Sequence, residues 1–252
     1  MEIAEHIEEL RQQGTAMAAA AGRAGLDAPV SPCAPWRIKN LLRHTGFIHR
    51  WAAGHIVSPS EHVRDGPSEE EIRRGGAPDA ELLDWFRDGH AALVQALQGA
   101  DPALETATFL AAPSPLAFWA RLQAHETAIH RADAETAAGD MPSYRAEFAA
   151  DGIDELIMGF GRGSKYRPQA GQPGTLRILG ADTGDSWLVR VEDGRCQPEL
   201  EPAPAEQADC VVSGTASHVY LFLWNRAPAQ GQVAITGDPA VLDLWKSGVR
   251  VR

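Results

Sequence analysis

The residues of this chain best suited to chemistry lie in one short segment, His125-Glu126-Thr127-Ala128-Ile129-His130. In a helix, Glu126 and His130 lie about 40° apart on one face, where a carboxylate and an imidazole can bind one metal ion. His125 and His130 diverge by about 140°, so the segment is not the H-E-x-x-H element of zinc proteases. The spacing predicts two ligands of a metal site, and a simple hydrogen-bonded couple on a helix is the alternative.

A third ligand is available in an earlier helical segment. Leu41, Ile48 and Trp51 mark the inward face of that segment, and His44 lies on the same face. Two histidines and one carboxylate from facing helices would leave one coordination position open, as in catalytic zinc sites. The predicted ligand set is His44, Glu126 and His130, with hydrogen-bonded core histidines as the alternative.

Two other histidines of that segment are excluded from the set. His49 points about 140° away from His44, and we expect His49→Ala to behave as the wild type. His55 shares the face of His44 but lies about 16 Å along the helix axis, too far to join the same site.

The elements that must position these ligands form a helical N-terminal region. Four segments with helical periodicity precede residue 140, and together they predict a four-helix bundle over residues 1–140. They run from Ile3 to about Ala21, from Trp36 to about Ile56, from Ala80 to Leu97, and from Ser114-Pro115 to about Ala138.

The sequence changes character after residue 140. One further helix is predicted from Tyr144 to Phe160, and helices are predicted from Ala216 to Asn225 and from Pro239 to Ser247. Short β-type runs alternate with turn signals at Thr175–Leu179, Trp187–Val191, Cys210–Ser213 and Val233–Thr236. We therefore predict an α+β domain over residues 141–252, and a two-domain α+β protein as a whole.

Composition and charge narrow the classes of function. The net charge of −11 disfavours binding to a nucleic-acid backbone, and we expect no nucleic-acid partner. No long apolar run and no signal peptide are apparent, so we expect a cytoplasmic protein without a membrane partner. Three widely spaced cysteines argue against disulfides and a cysteine zinc site. We expect a monomer or a weak dimer.

Three segments give the chain a resemblance to the mycothiol-dependent maleylpyruvate isomerase family. The resemblance spans nearly the whole chain. Its segments are Cys33-Ala-Pro-Trp36 continuing through His44 to Trp51, Phe118-Trp119 continuing through Glu126 and His130 to Asp133, and Leu221-Phe-Leu-Trp224-Asn-Arg226 with Ile235-Thr-Gly-Asp238. The resemblance implies an N-terminal DinB-like four-helix bundle and a C-terminal α+β domain similar to sterol-carrier proteins. The chain departs from the family at Ala34-Pro35, where Pro-Gly is common.

The resemblance also implies a site and a reaction. In that family a divalent metal, typically zinc, is held at the positions of His44, Glu126 and His130. Mycothiol bound to the metal would become a thiolate at neutral pH. The thiolate would catalyse cis–trans isomerisation of a maleylpyruvate-like acid by addition, rotation and elimination, or would be transferred to an electrophile. The chain would then be an isomerase or S-transferase whose partners are a small-molecule substrate and a low-molecular-weight thiol.

Two further charged residues, Arg226 and Asp133, each have two candidate roles. The resemblance implies that Arg226 binds an anionic substrate, and an arginine that stabilises a helix end is the alternative. Asp133 would either accept a hydrogen bond from a ligand or be a solvated acid. A rival from another class is a non-catalytic metal- or thiol-binding sensor on the same fold, but the presence of all three ligands favours an enzyme.

Overall fold

The computed structural model describes residues 1–66, 68, 70–71, 75–162, 172–192, 195–200, 208–227 and 231–248. These residues form two compact units, Met1–Pro142 and Ser143–Arg252. The first is helical, and the second combines a sheet with helices, as the sequence predicts. No helix among the described residues is long and apolar enough to cross a membrane.

Four long helices build the first unit. The described residues place them at α1 Ile3–Ala24, α2 Ile38–Val57, α3 Leu82–Gln98 and α4 Pro115–Ala137. Helix α1 packs most extensively against α4, and α2 packs against both α3 and α4. The core between them is apolar and contains fully buried Leu10, Met17, Leu41, Phe86 and Trp119. Burial of such side chains stabilises the unit by about 1.5–3 kcal/mol each.

Helix α4 begins and ends where the sequence predicts. The Ser114 hydroxyl accepts a hydrogen bond of 3.1 Å from the backbone N–H of Ala117, and Pro115 occupies the first helical position. Beyond the helix, Gly139 adopts a φ of 86°, a backbone conformation that glycine accommodates without strain. These signals fix the span of the helix that carries Glu126 and His130.

The described residues of the second unit form a five-stranded sheet of order β3-β2-β1-β4-β5. Its strands are β1 Gly174–Gly180, β2 Ser186–Glu192, β3 Arg195–Leu200, β4 Cys210–Gly214 and β5 Val233–Gly237. Strands β1 and β4 run parallel, and the other neighbours are antiparallel. In the centre of the sheet, buried Ile178 is paired with Trp187 on one side and Val212 on the other.

In the described part of the second unit, three α-helices accompany the sheet: α5 Ala146–Asp154, α6 Ala216–Leu223 and α7 Pro239–Gly248. Helices α6 and α7 contact the sheet, and α5 packs on α6. The predicted helix from Tyr144 to Phe160 is only partly regular, because a π-helical segment, Glu155–Gly159, follows α5. Strand β3 was missed because it is polar and contains Pro198, a residue confined to edge strands such as this one.

Candidate metal centre

Helix α4 presents Glu126 and His130 on one face, one helical turn apart. Oε1 of Glu126 lies 3.3 Å from Nε2 of His130. The His130 side chain is buried, with 2% of its surface exposed, whereas 22% of the Glu126 side chain is exposed. The pair is therefore reachable from solvent on the glutamate side and anchored in the bundle on the histidine side.

Helix α2 brings His44 to the same point. Its Nε2 donates to Oε1 of Glu126 over 3.2 Å, and its ring centroid lies 5.1 Å from that of His130. One ligand atom from each of His44, Glu126 and His130 can be chosen so that all three lie within 4.8 Å of one another. The structure thus brings together the three residues that the sequence predicts as ligands, and we name this candidate ligand set the metal cluster.

The electrostatics of the metal cluster favour an ionised carboxylate. Burial acts to raise the pKa of Glu126, but the charge of His130 and hydrogen bonds from His130 and His44 hold it well below its usual range. Burial acts in turn to lower the pKa of His130, yet Glu126 and Asp133 together raise it to about 9. The raised pKa favours the protonated form of His130 in the metal-free chain, and Nε2 must lose a proton to bind a metal.

Asp133 fixes the orientation of the His130 ring. Nδ1 of His130 donates to Oδ2 of Asp133 over 2.8 Å, and the Asp133 side chain is fully buried. The alternative that Asp133 is a solvated acid is therefore wrong. With Nδ1 bonded to Asp133, Nε2 faces Glu126 and is the nitrogen that can bind a metal once it has lost its own proton.

Trp36 forms an aromatic wall beside the metal cluster. Its ring centroid lies 5.0 Å from that of His44 and 6.3 Å from that of His130. The sequence predicts Trp36 as the first residue of α2, but the helix begins at Ile38 and Trp36 belongs to the preceding loop. Its position beside both imidazoles could not be inferred from helical periodicity.

The metal cluster has the chemistry and the dimensions of a divalent-cation site. Two nitrogens and one carboxylate oxygen are typical zinc ligands, and two ligands of a tetrahedral zinc ion lie about 3.3 Å apart. The two histidine–glutamate distances, 3.2 and 3.3 Å, match that separation. Glu126 supplies the negative charge, and Asp133 the oriented carboxylate behind one histidine, so these residues fit a metal ion.

The structure corrects the interpretation of His49. The side chain does point away from His44, but it is fully buried and shares a hydrogen bond of 2.8 Å with the hydroxyl of Thr127. The sequence prediction treats α2 as a helix with one buried face, whereas this helix packs against both α3 and α4. His55 also lies apart, stacked on Trp119 with its ring centroid 4.8 Å away.

Arg226 lies in the second unit, just after α6. Asn225 adopts a φ of 60° at the end of that helix, and the backbone N–H of Arg226 donates to the Leu221 carbonyl over 2.7 Å. Nη1 of Arg226 donates to the Trp224 carbonyl over 2.9 Å. The arginine is half-buried, and this hydrogen bond lies at the end of α6, where its alternative role would place it.

Comparison with known proteins identifies the family. A model of the mycothiol maleylpyruvate isomerase N-terminal domain matches residues 7–135, and a model of the MDMPI C-terminal domain matches residues 147–244. No curated protein matches the sequence.

Two solved structures are similar in fold over nearly the whole chain. The crystal structure of the mycothiol-dependent maleylpyruvate isomerase is 15% identical, with a TM-score of 0.66, and a histidine-to-alanine mutant is 14% identical, with a TM-score of 0.67. Each comparison covers 94% of this chain and 93% of the other. Since the first family model alone spans more than half of the sequence, the chain belongs to the mycothiol maleylpyruvate isomerase family.

Proposed function

We propose that this chain is a metal-dependent enzyme that uses mycothiol as a nucleophile in the cis–trans isomerisation of an acid resembling maleylpyruvate. The observation that carries the proposal is the convergence of His44, Glu126 and His130 from two facing helices. The family, and the names of the two solved structures, support the choice of thiol and of substrate class.

The metal cluster would hold the ion, zinc in our proposal. A divalent metal bound there would supply a Lewis acid that lowers the pKa of a thiol, whose thiolate can add to and leave an activated double bond. Glu126 provides the negative charge of the ligand set, and its partial exposure leaves the site open to small molecules. Asp133 holds His130 in the orientation that directs Nε2 to the site.

Trp36 shields the metal cluster from water on one side. Its ring packs against His44 and His130, so this side of the site presents an apolar surface. Such a surface strengthens the electrostatic interactions of the ligands and provides an apolar contact for the carbon skeleton of a thiol or an acceptor.

We propose that Arg226 binds a carboxylate of the acid. An arginine can bind a carboxylate with two hydrogen bonds, and a cation is needed in a chain whose net charge is −11. Its hydrogen bond to the Trp224 carbonyl supports the alternative role at the helix end. The two roles differ in what Arg226→Ala removes, because substrate binding affects turnover whereas helix support affects stability.

The test is an isomerisation assay with zinc-loaded protein, mycothiol and maleylpyruvate, followed by NMR of the cis and trans acids. We expect turnover that requires both zinc and the thiol, and a loss of at least about 100-fold in Glu126→Ala. His62→Ala is the matched control, because His62 is exposed in a loop. Arg226→Ala should lower turnover about 10–100-fold while zinc content and melting temperature stay unchanged.

Each contrary outcome has a distinct meaning. A stable thiol conjugate in place of the trans acid would identify an S-transferase that shares the same activation. Zinc and thiol binding without turnover of any unsaturated acid would favour the non-catalytic sensor. Absence of zinc binding would overturn the proposed metal centre.

A further inference from the structure

Cys33 lies at the edge of the metal cluster and makes a contact that the proposed function does not use. It is the last residue of a short 3-10 helix, Ser31–Cys33, in the loop before α2. Its thiol donates to Oδ2 of Asp133, with a sulfur–oxygen distance of 3.5 Å. Sulfur hydrogen bonds are longer than those of oxygen because the atom is larger, so this is a bonding distance.

The acceptor of this hydrogen bond is the atom that orients His130. Oδ2 of Asp133 accepts both from Sγ of Cys33 and, over 2.8 Å, from Nδ1 of His130. Two donors on one oxygen restrict the rotation of a carboxylate more than one donor does, because each fixes a different direction at that atom. Cys33, Asp133 and His130 thus form a hydrogen-bonded chain that ends at the ligand atom Nε2.

The backbone of Cys33 is tied to the aromatic wall. The backbone N–H of Trp36 donates to the Cys33 carbonyl over 2.9 Å, and the N–H of Val30 donates to the Trp36 carbonyl over 2.9 Å. Val30 is buried in the bundle core, with 1% of its surface exposed. The loop therefore holds the Cys33 thiol at a defined place relative to both Trp36 and Asp133.

We propose that Cys33 is a positioning residue of the metal centre: its thiol fixes the Asp133 carboxylate and, through it, the direction of the His130 ligand atom. This inference rests on the proposed metal centre. It differs from direct ligation, because a metal bound by Cys33 and Asp133 would compete for the carboxylate that orients His130. It also gives Cys33 a role other than disulfide formation or direct zinc binding.

The test compares Cys33→Ala, which removes the donor, with Cys33→Ser, which keeps a hydroxyl donor. Zinc affinity is measured by competition with a chelator, and the Nδ1–H proton of His130 is observed by NMR in metal-free and zinc-loaded protein. We expect Cys33→Ala to shift the Nδ1–H resonance in both states and to weaken zinc binding about 3–10-fold. Cys33→Ser should bind zinc within about threefold of the wild type, and Asp133→Asn should lose about 10–100-fold.

A matched control is Cys196→Ala, which removes a half-exposed thiol from strand β3 in the second unit and should change neither measurement. An unchanged Nδ1–H resonance and unchanged zinc affinity in folded Cys33→Ala would overturn the inference while the metal centre stands. If the wild type binds no zinc, the proposed centre fails and the positioning role fails with it. Should Cys33→Ala not fold, Cys33→Ser still decides, because exchanging sulfur for oxygen shifts the Nδ1–H resonance only if this side chain bonds Asp133.

Discussion

Two groups of buried or partly buried polar residues in the helical unit each include a histidine of α2, and the two groups differ in charge. His44 belongs to the metal cluster, with Glu126 and His130. His49, five residues later, belongs to what we name the core histidine pair, His49 and His90, whose ring centroids lie 5.5 Å apart. Both groups join α2 to another helix, but only the first contains a carboxylate.

His130 and the core histidine pair differ in the direction of their pKa shifts. Beside Glu126 and Asp133 the pKa of His130 rises to about 9. In the core pair, burial lowers the pKa of His49 well below its ordinary value and also lowers the pKa of His90. Nδ1 of His49 has no hydrogen-bond partner in the part of the chain that the structure describes, so a proton there would be buried without an acceptor. An inward-facing histidine therefore indicates a ligand only when an ionised partner lies within reach.

The largest expected effect comes from removing a ligand of the metal cluster. Glu126→Ala and His130→Ala should each lower zinc content from about one ion per chain to near zero, because two ligands do not hold zinc against buffer. Elemental analysis after dialysis measures this, and His62→Ala should keep the ion. Full zinc content in both variants would show that the metal cluster is only a buried ion pair.

The sequence predicts the residues on the more apolar face of a helix, and fails for those on a second buried face. Glu126 and His130 could be paired from spacing alone, since both lie on α4 and its start is fixed by Ser114 and Pro115. His44 could be added because it faces the same interior. The environment of His49 could not be deduced, because α2 has two buried faces and a helical projection reveals only the more apolar one.

Contacts made by loops were beyond prediction for a different reason. Trp36 packs against the metal cluster and Cys33 against Asp133 behind it. Both lie in a loop held by backbone hydrogen bonds, whose path has no sequence periodicity. In the second unit, the strands rich in β-branched residues were predicted, whereas β3 was not. Its pairing with β2 depends on the partner strand rather than on its own residues.

The core histidine pair should affect stability and leave metal binding intact. His49→Ala removes a fully buried side chain and its hydrogen bond to Thr127, so we expect a loss of about 2–4 kcal/mol in the free energy of unfolding. This replaces the wild-type behaviour expected from the sequence. Urea unfolding measures the loss, and zinc content should stay near one per chain. Loss of the metal without loss of stability would place His49 among the ligands.

A smaller effect is expected from the partner of His49. Thr127→Val keeps the shape of the side chain but leaves Nε2 of His49 without its 2.8 Å hydrogen bond, which should cost about 1–2 kcal/mol. Thr127→Ser keeps the hydroxyl and is the matched control. Combined with His49→Ala, the Val variant should add little, since the same hydrogen bond is already lost. Fully additive losses would mean that the two side chains do not interact.

The smallest effect separates the two groups by pH. A histidine that burial keeps neutral does not change the free energy of unfolding at high pH. As pH falls below its unfolded pKa of about 6.5, the unfolded chain binds a proton and the folded chain does not, so the fold becomes less stable. For His49, whose folded pKa is lowered by burial first and by the neighbouring His90 second, we expect a loss on the order of 1 kcal/mol between pH 7.5 and 6.0. His49→Gln cannot be protonated in either state, so the difference in unfolding free energy between wild type and variant should shrink by this amount.

The effect of His130 on the pH dependence of stability has the opposite sign, because its raised pKa contributes stability at low pH that is lost as pH rises towards 9 in metal-free protein. Taking the difference between the two proteins largely cancels the His130 contribution, which both share. A difference that stays constant between pH 7.5 and 6.0 would show that His49 takes up a proton in the folded chain as readily as in the unfolded chain, which would contradict a pKa lowered by burial.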